Sequence, residues 1–252
     1  KPAIIAGFCY DERMLFIYIV LFVVGAIAAS FIGVVVARLH TGQSFLSGRS
    51  HCDACQKPLS PYSLVPIIFY IVSRGKSHCC ASRISFFSPL TEFLLGSLFV
   101  LVYNAIGFVI ALPFMLVACA VLLALVLYDI AHHILPSGLL TLFVVVSVVT
   151  GFLSSSFLDD FLSSLLTAFL IALSLFAIHF FSRGRAMGFA DVPLSFGLAI
   201  LVGSAAFPGF VFSFWIGSII GIALLARRPR GTRIGVEVPF APYLAAGFLL
   251  AY

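Results

Sequence analysis

Long apolar stretches alternate along this chain with short polar clusters that hold most of its charge, Pro and Gly. An apolar window closed by those clusters predicts eight spans, at about 14–37, 88–109, 111–128, 138–156, 161–181, 191–206, 208–226 and 239–252. Several exceed the roughly 18 to 20 apolar residues needed to cross a bilayer core of about 30 Å, so membrane-spanning helices are the expectation. A tight turn before Pro113 joins the second and third spans, and Pro208-Gly209 is expected to join the sixth and seventh, each pair forming a hairpin. Met14 to Ala37 is long, lacks a basic region before it and is followed by further spans, which reads as a retained helix and not a cleaved signal. The pattern contains no internal repeat.

Composition sharpens this picture. Hydrophobic residues make up 62% of the 252 positions and charged residues 9%, with 28 Phe, far from soluble-protein usage. The net charge of +5 invites a nucleic-acid partner, but the basic residues are scattered into loops between spans and form no soluble basic surface. Membrane topology accounts for them instead. With the first helix entering from outside, Arg38, Arg49, Lys57, Arg74, Lys76 and Arg83 share one cytoplasmic loop, and Arg183 and Arg185 a second. Arg227, Arg228, Arg230 and Arg233 fall in a third, so 12 of 14 basic residues lie inside. The acidic pair Asp159-Asp160 falls in an external turn.

Carboxylates at the border of apolar spans are expensive and tend to face a cavity where they have work to do. Three qualify: Asp129 ends the third span, Asp191 opens the sixth within Gly188-Phe189-Ala190-Asp191, and Glu92 sits near the start of the second. On the topology above all three emerge on the cytoplasmic side. Two adjacent carboxylates share a proton, so that one activates water while the other protonates the carbonyl or the leaving amine, chemistry that needs no metal or cofactor. From spacing alone, helix capping or interfacial snorkelling stands beside this reading. His132 and His133 read as polar interface residues after Asp129, and His179 as a hydrogen-bonded residue between helices.

Four separated stretches, together with the acid motif, carry a family resemblance. They are Gly25 to Leu39 with Ser30-Phe31, Val35 and Arg38-Leu39; Cys52-Asp53-Ala54-Cys55 followed by Ser82-Arg83-Ile84-Ser85 to Pro89-Leu90-Thr91-Glu92; Asp129-Ile130-Ala131-His132-His133-Ile134-Leu135-Pro136; and Pro239-Phe240-Ala241-Pro242-Tyr243. The sequence resembles the type IV prepilin peptidases, bifunctional membrane enzymes of bacterial pilus and type II secretion systems. The third stretch is similar to the family's DxxxxxLP segment, and Gly188 to Asp191 to its GxGD motif, with Ala190 in place of the second Gly. A methyl group there restricts positive φ, so the local geometry is not assumed identical to the family's.

The resemblance implies cleavage of prepilins and pseudopilins between a short basic leader and a long apolar helix, with Asp129 and Asp191 as the catalytic pair and Gly188 and Ala190 as motif support. It also implies N-methylation of the new terminus with S-adenosylmethionine as donor, Glu92 being the position linked to methyl transfer or to binding the leader. The substrate helix would lie among membrane lipids beside the enzyme, with no nucleic acid involved. Helix fields add an expectation: Asp129 closes a helix and Asp191 opens one, which makes Asp191 the resting base and Asp129 the proton carrier.

The loop from about Leu39 to Ser88 holds Cys52, Cys55, Cys79 and Cys80, and four thiolates on Zn²⁺ would order so small a polar region without a core. Cys52 and Cys55 have CxxC spacing; in the second pair Ser77 stands where the family has a Cys, so adjacent Cys79, or His78, substitutes as a ligand. Free or redox-labile thiols are one alternative, and a disulfide another that a reducing cytoplasmic loop disfavours. The expected architecture is an all-α polytopic membrane protein of about eight helices: an external N-terminus and first helix over 1–37, a cytoplasmic cysteine loop over 38–87, and a membrane-embedded aspartyl protease domain over 88–252. Its place is the bacterial inner membrane, with the active site facing the cytoplasm. Another GxGD-type enzyme, or a transporter using Asp129 and Asp191 as proton or cation ligands, are the competing readings.

Overall fold

A computed structural model describes residues 2–39, 55, 70, 72–77, 79–80, 82, 85–155, 157–185, 187–227 and 239–252. Each of the eight apolar segments is occupied by an α-helix: α1 Pro2–Arg38, α2 Phe87–Ile106, α3 Leu112–His132, α4 Ser137–Ser154, α5 Leu158–Phe181, α6 Asp191–Val202, α7 Ala206–Arg227 and α8 Ala241–Ala251. The chain is a polytopic, all-helical membrane protein. Six helical runs are long and apolar enough to cross a bilayer, the last being Asp191–Leu224, which takes in α6 and most of α7. By themselves α6 and α8 hold 12 and 11 residues. At 1.5 Å per residue each is about 16 to 18 Å long, short of a bilayer core.

Local chemistry sets the helix ends. Gly107 caps α2 at φ 70°, and Pro113 sits in the first turn of α3, where a missing N–H costs no helical bond. The turn between α6 and α7 lies five residues earlier than Pro208-Gly209. A short 3₁₀ segment, Gly203–Ala205, makes the break with Gly203 at φ 60°, and Pro208 falls in the first turn of α7. Proline marked the helix start, and the glycine with the left-handed backbone made the turn.

The chain divides into two compact units, Lys1–Phe108 and Val109–Tyr252. In the first, α1 and α2 pack through glycines. A Cβ on Gly25 would lie 2.8 Å from Gly96 Cα, and one on Gly96 would lie 2.8 Å from the Phe22 carbonyl oxygen. Backbones this close gain dispersion contact that larger side chains would forbid. Tyr18 Oη donates to Asn104 Oδ1 at 3.3 Å, and Phe22 meets Phe93 edge to face.

In the second unit α6 is the hub, contacted by α4, α5, α7 and α8. Two thirds of its residues are buried, Leu194, Leu198 and Ala199 among them, and they join Leu125, Phe143, Ile171 and Leu244 in one core. Polar side chains inside this core are satisfied within it: Ser147 Oγ donates to the Phe143 carbonyl at 2.7 Å, and Ser213 Oγ contacts the carbonyls of Gly209 and, across α7 and α8, Leu244. Outward faces carry Phe169, Leu170, Leu173 and Phe176 on α5, as lipid exposure requires.

Candidate active site

Asp129 stands in the last turn of α3, which ends because His133 adopts a left-handed backbone at φ 55° and ψ 31°. Its N–H caps the Asp129 carbonyl at 2.8 Å. The Tyr128 and His132 rings meet beside it at a tilt of 40°, centroids 4.4 Å apart. The Asp129 carboxyl turns inward, 6% exposed, and Oδ2 accepts the Ala241 N–H at 3.2 Å. Ala241 is the first residue of α8, preceded by Phe240 and followed by Pro242. A free N-terminal amide of one helix is thus spent on the acid that closes another.

Asp191 opens α6 and is 7% exposed. A compact turn delivers it: the Asp191 N–H reaches the Gly188 carbonyl at 3.4 Å, and the Val192 N–H reaches that of Phe189 at 3.1 Å. The Gly188 backbone borders the Asp191 carboxyl, since a Cβ on Gly188 would lie 3.7 Å from Oδ2. Ala190 takes φ −67° and ψ −19°, an ordinary right-handed conformation, and Gly188 is absent from the positive-φ glycines. The methyl group of Ala190 therefore meets no backbone restriction. The turn uses no left-handed residue there.

The fold brings the two acids together. They are 62 positions apart in sequence, yet their carboxyls lie close enough to act on each other electrostatically, both at one end of the second unit. His133, exposed at the α3 terminus, also acts on Asp129. Two buried carboxyls near enough to feel each other's charge cannot both ionise cheaply, which suits a shared proton. The expected assignment of Asp191 as base considered only each acid's own helix. The fold adds the N-terminus of α8, whose Ala241 N–H engages Asp129 Oδ2, so the field of α3 is not the only one Asp129 feels. Sequence reasoning missed this donor, although Pro242 in the first turn marked where a free amide would be.

In the first unit Glu92 is buried at 5% exposure on α2 and accepts from Ser88 Oγ at 3.5 Å. Three of the four cysteines converge: the sulfurs of Cys55, Cys79 and Cys80 all lie within 4.8 Å of one another, Cys55 and Cys79 at 3.1 Å. Ser77 Oγ lies 3.0 Å from Cys79 Sγ, and Cys80 Sγ lies 3.2 Å from Ser82 Oγ. Cys52 and His78 lie outside the described residues. His179 bonds the carbonyl of Met187 in the turn before α6 through Nδ1 at 2.9 Å, in place of a partner on another helix.

A family model described as the bacterial peptidase A24 N-terminal domain matches residues 23–106. A prepilin leader peptidase/N-methyltransferase of Bacillus subtilis is 30% identical over 237 residues, covering 92% of this chain and 92% of the relative. One from Pseudomonas aeruginosa is 30% identical and covers 79% of this chain and 70% of the relative. A type 4 prepilin-like proteins leader peptide-processing enzyme of Escherichia coli is 27% identical, covering 79% and 73%. No solved structure matches the chain significantly.

Proposed function

The chain belongs to the prepilin leader peptidase/N-methyltransferase family, and from that premise we propose that Asp129 and Asp191 are the catalytic pair with which it removes the basic leader from type IV prepilins or pseudopilins. The observation that supports this reading is that two buried carboxyls from distant helix ends lie near enough to act on each other electrostatically. One carboxylate takes a proton from water as the oxygen attacks the scissile carbonyl. The other supplies its proton to the carbonyl oxygen; on collapse it takes that proton back while the first carboxyl passes the water's proton to the leaving amine, and the C–N bond breaks. The substrate's apolar helix lies in the bilayer and its leader in the basic-residue-rich cytoplasmic layer of the inner membrane, which brings the scissile bond to the membrane border. The working division is a first helix over 1–37, a cysteine loop over 38–87 and the protease domain over 88–252.

The family's second activity methylates the newly exposed amine. S-adenosylmethionine would supply the methyl group from a sulfonium cation, and a buried acid such as Glu92 suits a cation of that kind. Zn²⁺ fits the cysteine cluster by donor chemistry, since thiolates at a tetrahedral zinc lie about 3.8 Å apart at Zn–S bonds of about 2.3 Å. Cys55, Cys79 and Cys80 would hold it, with Cys52 as fourth ligand. Its contribution is a structural tether for the loop.

The test is incubation of the purified protein with a prepilin, read as a leader-sized mobility shift. Asp129→Asn and Asp191→Asn should each lower cleavage by at least about 10³-fold, because neither acid performs both proton tasks. Cleavage retained by either variant would point to another dyad or to the transport reading.

A further inference from the structure

Nearly every residue in the last turns of α5 is apolar, and His179 is the exception: Ile178, Phe180 and Phe181 flank it. An ionisable side chain in such a run has a partner that justifies it. Here the connection between α5 and α6 folds around this residue. The His179 carbonyl accepts the Gly184 N–H at 2.9 Å and Ser182 Oγ at 3.2 Å. Arg183 and Gly184, at φ 54° and 75°, reverse the chain, and a Cβ on Gly184 would lie 3.4 Å from His179 Cε1. The imidazole then meets Phe189 edge to face at 5.7 Å and Met187 O at 2.9 Å.

Met187 O belongs to the peptide that leads into Gly188, whose backbone borders the Asp191 carboxyl and whose carbonyl accepts the Asp191 N–H at 3.4 Å. A trans peptide is planar and rigid. By holding its oxygen, His179 therefore fixes the unit that carries Gly188 up to Asp191. A carbonyl only accepts, so Nδ1 carries the hydrogen.

We infer that His179 is a positioning residue for leader cleavage, acting through the Met187–Gly188 peptide to orient the Asp191 carboxyl. This rests on the reading of Asp191 as a catalytic acid. His179 acts at one remove, through the peptide that leads into Gly188 beside Asp191. Since a misplacement of about 1 Å in a catalytic group costs up to about 10²-fold, loss of the imidazole should be felt in turnover and not in substrate affinity.

The experiment compares His179→Phe, His179→Asn and His179→Gln by kcat and KM for leader cleavage, with N-methylation of an already cleaved pilin as a control for folding. The amide nitrogen of Asn lies where Nδ1 lies in His, whereas that of Gln lies nearer the Nε2 position. His179→Phe should lower kcat by about 10- to 100-fold with KM within about twofold. His179→Asn should recover most of that loss and His179→Gln little of it. Wild-type kcat in His179→Phe, or equal recovery by Asn and Gln, would overturn the inference. If His179→Phe loses methylation as well, the comparison of Asn with Gln decides by itself. Asp191→Asn is assayed in parallel: cleavage surviving there rejects the dyad, whereas an inactive Asp191→Asn beside an unaffected His179→Phe rejects only the role of His179.

Discussion

The Ala241 backbone N–H meets Oδ2 of Asp129 at 3.2 Å across 112 positions of chain. This bond ties the last helix of the protein to the acid that ends α3, and it makes Oδ2 an acceptor. A proton shared by Asp129 and Asp191 is then best accommodated on one of the other carboxyl oxygens. The acid chemistry is therefore set by three helix ends, α3, α6 and α8, and not by the two that carry carboxyls.

A shared proton has a kinetic signature. At low pH both acids are protonated and no base remains; at high pH both are ionised and no acid remains. The pH profile of kcat/KM for leader cleavage should be bell-shaped. A profile with one limb only would mean that a single carboxyl titrates in the free enzyme.

Ala190 occupies a right-handed backbone position that glycine has no special reason to fill. Ala190→Gly should leave cleavage within about twofold of wild type and lower stability by about 0.5 to 1 kcal/mol through the added freedom of the unfolded chain. Thermal unfolding in detergent beside a cleavage assay measures both. A large gain in cleavage would show that the methyl group obstructs the site after all.

The cysteine cluster predicts about one zinc per chain in freshly purified protein, falling well below that in Cys55→Ser and Cys79→Ser. Ser77 already lies beside Cys79, so Ser77→Cys should restore binding in the Cys79→Ser background by moving the thiolate two positions. Elemental analysis reads the result, and zinc content unchanged by Cys79→Ser would exclude that ligand.

Glu92→Gln keeps the shape of a buried side chain and removes its charge. Methyl transfer to a cleaved pilin should fall by more than tenfold while leader cleavage changes little. Equal loss of both activities would mark Glu92 as a leader-binding or structural residue.

The α1–α2 contact tolerates no added carbon at its closest point. Gly25→Ala puts a methyl 2.8 Å from Gly96 Cα and should destabilise the protein by about 1 to 3 kcal/mol. Gly33→Ala, on the same helix with nothing within 4 Å of the added atom, should be neutral or slightly stabilising. Matching melting temperatures for the two variants would mean that the helices separate without cost.

The amino-acid order alone determined which segments are helical and which side chains could do chemistry. Apolar length, helix-breaking residues and the cost of a carboxylate near lipid are local properties, so Asp129, Asp191 and Glu92 stood out at once. Proline was a weaker guide: Pro208 looked like a turn and proved to be a helix start, because the residue suits both and only Gly203 had the backbone to reverse the chain. Proximity between distant positions was decided by tertiary packing. The packing of α6 brings Asp191 within electrostatic reach of Asp129, the start of α8 delivers the Ala241 amide, and His179 holds the carbonyl of the Met187–Gly188 peptide. Backbone donors carry no side-chain signature, so their partners exist only once the helices have packed.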